Sequence, residues 1–206
     1  MDATRELEII IARYKEDINW KNQITIPCQK SIYNKFYFEG MKLENVGREG
    51  HTYLHHIYNR YHNLSDFNLF TQGDPIYHDS KFIKKINDIN LSSISLETPL
   101  FFGITGIESI NGNSYYKHPN GLPIYYFLDF LFDIKCQPQD QFLMHYGSIF
   151  LVTKEMIYLR PRNFYKFLLK LLSNESDPIE GYIIERMWQF IFNPNIKLSN
   201  KYELFV

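Results

Sequence analysis

The sequence predicts one α/β domain over residues 1–206, with a mainly parallel mixed sheet flanked by helices. Three observations lead there. Leu7 to Ala12 (Leu-Glu-Ile-Ile-Ile-Ala) is a near-continuous apolar, β-branched run, the pattern of a strand buried on both faces. Strand-like runs then alternate with helical periodicities along the chain, as parallel sheets with crossover helices require. A second buried run, Phe67 to Phe70, leads into Gln72-Gly73-Asp74-Pro75 and sets a carboxylate at a strand's carboxyl end, where open α/β sheets place ligand groups. Taken alone, Asp74 also fits a tight turn, a common use of Asp beside Gly.

The opening strand ends in the charged run Arg13-Tyr14-Lys15-Glu16-Asp17, followed by Trp20. Ser31 to Phe38 alternates roughly and is aromatic, which predicts a second strand. Leu54, Ile57, Tyr58 and Tyr61 recur at helical spacing, with Asn45 as the expected N-cap. Residues 75–95 read as polar and irregular, and Leu100 to Ile104 as a short strand. Asn111 to Pro123 carries Asn-Gly twice and Pro119, the composition of a long loop. Tyr125 to Ile134 is an amphipathic helix. Phe142 to Val152 reads as a strand interrupted at His145-Tyr146-Gly147-Ser148. Two helices follow. The first has Pro161 in its first turn and Phe164, Phe167, Leu168, Leu171 and Leu172 on one face; the second has Ile184, Met187, Trp188, Ile191 and Phe192.

With 22 basic and 23 acidic residues the net charge is −1, without the basic excess of a phosphate-neutralising nucleic-acid binder. Aromatic residues make up 17%, enough for a packed core and for a site that stacks on bases or sugars. The polar start Met1-Asp2-Ala3-Thr4-Arg5-Glu6 predicts no secretory signal. Tyr125 to Phe132 falls far below the ~20 apolar residues of a membrane span. Cys28 and Cys136 make no disulfide framework. A cytoplasmic, soluble domain is expected, either whole or cut from a longer chain.

Arg48, in the first turn of the 45–61 helix, is placed to grip a phosphate where free backbone N–H groups already favour an anion; the alternative is a surface arginine paired with a neighbour. His51 and His55 lie one turn apart, but Thr52 stands where the glutamate of a His-Glu-x-x-His site belongs, so no zinc site is expected.

Four segments carry a resemblance: Ile11-Ala12-Arg13-Tyr14-Lys15-Glu16-Asp17 with Trp20; Asn45-Val46-Gly47-Arg48-Glu49-Gly50-His51-Thr52-Tyr53-Leu54; Phe70-Thr71-Gln72-Gly73-Asp74-Pro75; and Gly181-Tyr182-Ile183-Ile184-Glu185-Arg186-Met187-Trp188. In this order they resemble a family of eukaryotic and viral proteins with a glycosyltransferase-A-like (Rossmann-like) fold. Within it they look most like the glycosyltransferase domains of chlorella-virus enzymes that glycosylate the major capsid protein. The resemblance spans nearly the whole chain. It implies hexosyl or deoxyhexosyl transfer from a UDP-sugar donor to a glycan or glycoprotein acceptor in viral capsid glycosylation, assisted by Mn²⁺ or Mg²⁺, with the host cytoplasm as location if viral. It implies that Ala12, Arg13 and Tyr14 meet the uridine, with Tyr14 as a stacking face, and that Asn45 and Arg48 lie near the ribose and diphosphate. Gly73 would admit the nucleotide closely. Of the family's Asp-x-Asp metal motif, Gln72-Gly73-Asp74 keeps the last acid, leaving His78 or Asp79 to complete the shell. The general base is expected among Glu185, Asp79 and Glu180, with Glu185 preferred for its Glu-Arg-x-Trp setting; the alternative is that Glu185 pairs with Arg48 or Arg186 and only orders the helix. Two other functions fit the same groups: a metal-dependent hydrolase of nucleotide or phosphate esters, and a non-catalytic nucleotide-binding module.

Overall fold

The first strand, β1 (Leu7–Arg13), is buried along nearly its whole length in the computed structural model, which describes residues 5–36, 40–94, 96–110, 121–137 and 139–206. Its near-continuous apolar run, broken only by the buried Glu8, has a direct cause: both faces of the sheet are covered. Ile9 and Ile11 pack with Trp20, Leu69, Phe82 and Leu151 on one face, while Ile10 and Ala12 pack with Tyr53, Phe70, Phe150 and Trp188 on the other.

Parallel to β1 run β2 (Gln29–Asn34) on one side and β4 (Phe67–Gln72) on the other, with β3 (Met41–Lys42) beyond β2. Past β4, β8 (Phe150–Thr153) is antiparallel, and β5 (Leu100–Phe101) pairs antiparallel with it, so only β8 is reversed in the order β3-β2-β1-β4-β8-β5. A two-stranded antiparallel ribbon, β6 (Thr105–Ser109) with β7 (Gln141–His145), stands apart. The chain leaves β1 toward β2 and later returns on its other side to form β4. The strand order therefore reverses between β1 and β4, opening a crevice at their carboxyl ends.

Seven helices are described: α1 (Arg48–Arg60), α2 (Pro75–His78), α3 (Phe82–Asn87), α4 (Ile124–Phe132), α5 (Lys154–Tyr158), α6 (Arg162–Leu171) and α7 (Ile179–Ile191). The mainly parallel, helix-flanked α/β architecture is as predicted. Three expectations are corrected. Residues 75–95 are not irregular throughout: they hold α2, N-capped by Asp74, and α3, whose lead-in turn is held by Asp79 accepting the Lys81 and Phe82 N–H groups. The 142–152 run is two strands in different sheets, separated by a turn with left-handed Gly147 (φ 92) and Ser148 (φ 49). The second strand ends at Asn34, and α1 begins at Arg48 behind a Gly47 N-cap instead of Asn45. Positions 37–38 of the expected strand and 111–120 of the expected loop lie outside the described residues. Among the described residues, no helix is long and apolar enough to cross a membrane.

Candidate active site

A cavity of about 440 Å³ opens at the carboxyl ends of β1 and β4, lined by Ala12, Arg13, Tyr14, Asn45, Arg48 and Gln72 together with Glu16, Lys35, Glu49, Ser176 and Asp177. Five of the seven residues expected to meet the nucleotide thus share one cavity. Gly73 and Asp74 continue the chain from Gln72 beside it.

The β1 end is held by its own loop. Arg13 Nε donates to the Glu16 carbonyl at 3.0 Å, and the Tyr14 N–H donates to Glu16 Oε2 at 2.7 Å. The Glu16 carboxylate lies against Gly73, where a Cβ would stand 2.6 Å from Oε2, and Trp20 Nε1 donates to the Gly73 carbonyl at 2.8 Å. The group that approaches Gly73 closely is therefore the Glu16 side chain. Tyr14 is 38% exposed, edge-on to Phe36 with centroids 5.4 Å apart, and the Lys15 ammonium lies over both rings. Its ring offers the stacking surface a base needs.

Two consecutive left-handed residues, Gly47 (φ 59) and Arg48 (φ 52), turn the chain into α1. Such a conformation persists for a non-glycine residue only where the surroundings hold it. Here Lys35 Nζ donates to the carbonyls of Val46 and Arg48, the Gly47 N–H donates to Glu175 O at 2.8 Å, and the Arg48 N–H donates to Ser176 O at 3.2 Å. These N–H groups are spent on the chain itself, so positive character at this end of the cavity comes from side chains. The Arg48 guanidinium lies 4.1 Å over the Tyr182 ring, with Nε 3.7 Å from Glu49 and 3.9 Å from Asp177. It is both a paired arginine and a wall of the cavity.

Two predictions arise from this turn. A Cβ on Gly47 would stand 2.4 Å from Leu172 O. Gly47→Ala is therefore expected to cost about 1–3 kcal/mol in denaturant unfolding, on strain alone. Burial lowers Lys35 to about 8 from its usual 10.5, with Glu49 opposing the shift. Between those values the unfolded chain binds more protons than the folded one, so stability from this group rises with pH across the window and is flat below about 8. Comparing denaturant midpoints of wild type and Lys35→Met from roughly pH 7.5 to 11, which brackets that window, checks this. The rise should be smaller in the variant.

At the β4 end, Gln72 Nε2 donates to Gly147 O at 3.0 Å, and the His78 ring packs where a Cβ on Gly147 would be 2.8 Å from its Cγ. Asp74 is exposed and N-caps α2, accepting the Tyr77 N–H at 3.2 Å through Oδ1. It therefore does serve the turn. As a metal donor set the end offers one carboxylate, with His78 one helical turn on. Among the described residues there is no group of three His, Cys, Asp or Glu side chains able to hold an ion. This set can tether a hard cation whose remaining ligands are oxygens of a bound diphosphate and water. It cannot enclose one.

Asp79 is differently employed. Burial pushes its carboxyl up, but Lys85 Nζ at 2.5 Å and the Lys81 N–H at 3.0 Å outweigh that and hold it low, fastening α3. Glu180 sits in the first turn of α7, where a carboxylate complements the helix dipole. Glu185, two turns into α7, has a side chain 12% exposed, and its Oε1 accepts the Gly147 N–H at 3.1 Å. Burial and then Glu49 raise its pKa, against Arg48, Arg186 and that hydrogen bond. Arg186 is chiefly bound elsewhere. Its Nε and Nη2 grip Glu108 at 2.7 and 3.1 Å, whereas Glu185 lies 3.8 Å away. The helix-ordering pair is Glu108–Arg186; Glu185 does not line the cavity but lies behind it, close enough for the cavity residues Glu49 and Arg48 to act on its carboxyl.

Lys35 and Asp177 escaped the sequence reading, because the paths of loops bring them to the cavity. Glu16 and Glu49 lay inside the Ile11–Asp17 and Asn45–Leu54 segments without an assigned role, and Gly147 was read as part of the break in the 142–152 run. Residues 9–98 and 126–203 match the model of a family described as Protein of unknown function (DUF3431). No curated protein and no solved structure matches the chain.

Proposed function

The chain belongs to this family of unknown function, and from its site we propose that it is a glycosyltransferase of glycosyltransferase-A-like fold, moving a sugar from a UDP-sugar to a hydroxyl of a glycan or glycoprotein. One observation carries the reading. At the switch point between β1 and β4, a cavity is walled by an exposed tyrosine and by Arg13, Lys35 and Arg48, and two of its lining residues, Arg48 and Glu49, act on the enclosed Glu185 carboxylate behind it. A base-stacking ring, cations for a diphosphate and a proton acceptor of raised pKa are what transfer from a nucleotide sugar requires.

In that reaction Tyr14 stacks on the uracil, and Asn45 and Arg48 orient the ribose and diphosphate. Glu185 takes the proton of the acceptor hydroxyl as its oxygen bonds to the anomeric carbon. The bond from that carbon to the phosphate oxygen breaks, and its electron pair leaves with UDP. Mn²⁺ or Mg²⁺, tethered by Asp74 with His78 nearby, would supply neutralisation of charge on the leaving diphosphate.

Calorimetric titration of UDP with and without Mn²⁺ tests the donor site. Binding that strengthens with Mn²⁺ is expected, and Asp74→Ala should remove the metal-dependent part while leaving the fold intact. Because the protein offers too few ligands alone, Mn²⁺ without UDP should give no measurable heat. UDP binding that ignores the metal would instead favour a non-catalytic nucleotide module, a reading supported by the capping bond of Asp74 to Tyr77. Release of free sugar at the full turnover rate, whatever acceptor is offered, would indicate a hydrolase.

A further inference from the structure

The antiparallel ladder of β4 with β8 stops at Phe70 opposite Phe150. Two residues further on, the same register would set Gln72 against Ser148, but left-handed Gly147 (φ 92) and Ser148 (φ 49) break the extended backbone there. Where the backbone ladder ends, a side chain carries on. Gln72 Nε2 donates to Gly147 O at 3.0 Å. The other half of that glycine is taken as well, because its N–H donates to Glu185 Oε1 at 3.1 Å. One residue is thus fastened to the β4 end on one side and to α7 on the other. Gln72 lines the cavity, and Glu185 lies behind it. The turn has no slack toward α2: a Cβ on Gly147 would stand 2.8 Å from Cγ and 2.9 Å from Nδ1 of His78. The residue before it is held too, Tyr146 Oη donating to Glu108 Oε1 at 2.8 Å. Position 72 therefore needs a donor. An amide supplies one, whereas a carboxylate of the same size would set acceptor against acceptor at the Gly147 carbonyl.

We propose that Gln72 is a positioning residue which, through the Gly147 peptide, holds the Glu185 carboxylate in one orientation. Oε1 is committed to the Gly147 N–H. Oε2, at 3.8 Å from Arg186 Nη1 and so beyond hydrogen-bonding distance of it, is the oxygen left to take a proton. Without the Gln72 bond the Gly147 carbonyl loses its partner on β4. Ser148, a non-glycine residue at positive φ, keeps its conformation only while its surroundings impose it, so the turn then relaxes away from α7. The catalytic meaning rests on the transferase reading: a base set wrongly by a fraction of an ångström loses rate and not donor binding. The link from Gln72 through Gly147 to Glu185 is independent of that reading.

Hydrogen exchange of the free protein, read by NMR, tests the link in wild type, Gln72→Met and Gln72→Glu. Methionine keeps the bulk without an N–H, and glutamate keeps the shape but turns an acceptor on the carbonyl. Exchange at the Gly147 amide should rise by about threefold to tenfold in Gln72→Met, the weight of one hydrogen bond, and further in Gln72→Glu, with the β1 amides unchanged. Gly147 exchange equal to wild type in either folded variant would overturn the link. In wild type the Gln72 side-chain amide should itself be protected; exchange as free as that of an exposed glutamine would overturn the link even if neither variant folds. Kinetics test the role. In Gln72→Met kcat should fall by about 10–100-fold, with donor KM and UDP affinity within about twofold of wild type. Weakened UDP affinity with kcat intact would make Gln72 a donor-binding residue and overturn the positioning role, as would a wild-type kcat. If wild type transfers no sugar, the transferase reading fails, and the exchange measurement still decides the link.

Discussion

Glu185→Gln is expected to reduce sugar transfer by about 10²–10⁴-fold, the span of a lost general base, with UDP affinity little changed. The amide keeps the size of the carboxyl, and its oxygen can still accept the Gly147 N–H, so the crevice keeps its shape. What is lost is a proton acceptor. The measurement is the transfer rate at saturating donor beside calorimetric UDP affinity. A variant that retains wild-type rate removes Glu185 from the chemistry, whereas equal loss of rate and affinity would make its role one of binding.

Glu108→Ala is expected to destabilise the protein by about 3–5 kcal/mol, the usual cost of stranding one member of a buried pair. The Arg186 guanidinium is held by Glu108 through two bonds and donates to Tyr182 O at 3.0 Å, while Tyr146 Oη donates to Glu108 Oε1 at 2.8 Å. This network ties the β6–β7 ribbon and the Gly147 turn to α7. Removing Glu108 also frees Arg186 to pair with Glu185, now 3.8 Å away, which would lower the basicity of Glu185. Denaturant unfolding should show the loss. The double replacement Glu108→Leu/Arg186→Leu should recover most of it, because apolar groups of similar volume leave no charge unpaired. A Glu108→Ala midpoint equal to wild type would show the pair to be of little structural weight.

The central sheet was legible because its strands obey simple burial rules. β1 and β4 are buried and largely apolar since both faces of the sheet are covered, and Asp74 at the β4 end marks where a crevice forms. The helices α6 and α7 were equally plain from their apolar faces. Where loops decide, the sequence was mute. The left-handed pair Gly47-Arg48 moved the start of α1 three residues past Asn45, and nothing local announces that Lys35 from the β2 end holds that turn. Glu16 covers Gly73 only because the 14–17 loop folds back. Asp79 looked like Asp74 in sequence, yet Lys85, six residues on, commits it to α3. Glu49 lay inside the Asn45–Leu54 segment, and its place in the cavity wall follows from the turn that starts α1 at Arg48.

The most direct test is a crystal structure of the protein soaked with UDP and Mn²⁺. The account predicts the uracil on the Tyr14 ring, the diphosphate between Arg48 and Asp74, and the ion bridging Asp74 to phosphate oxygens at the carboxyl ends of β1 and β4. Nucleotide bound elsewhere on the molecule, or a crevice left empty at saturating UDP and Mn²⁺, would contradict it.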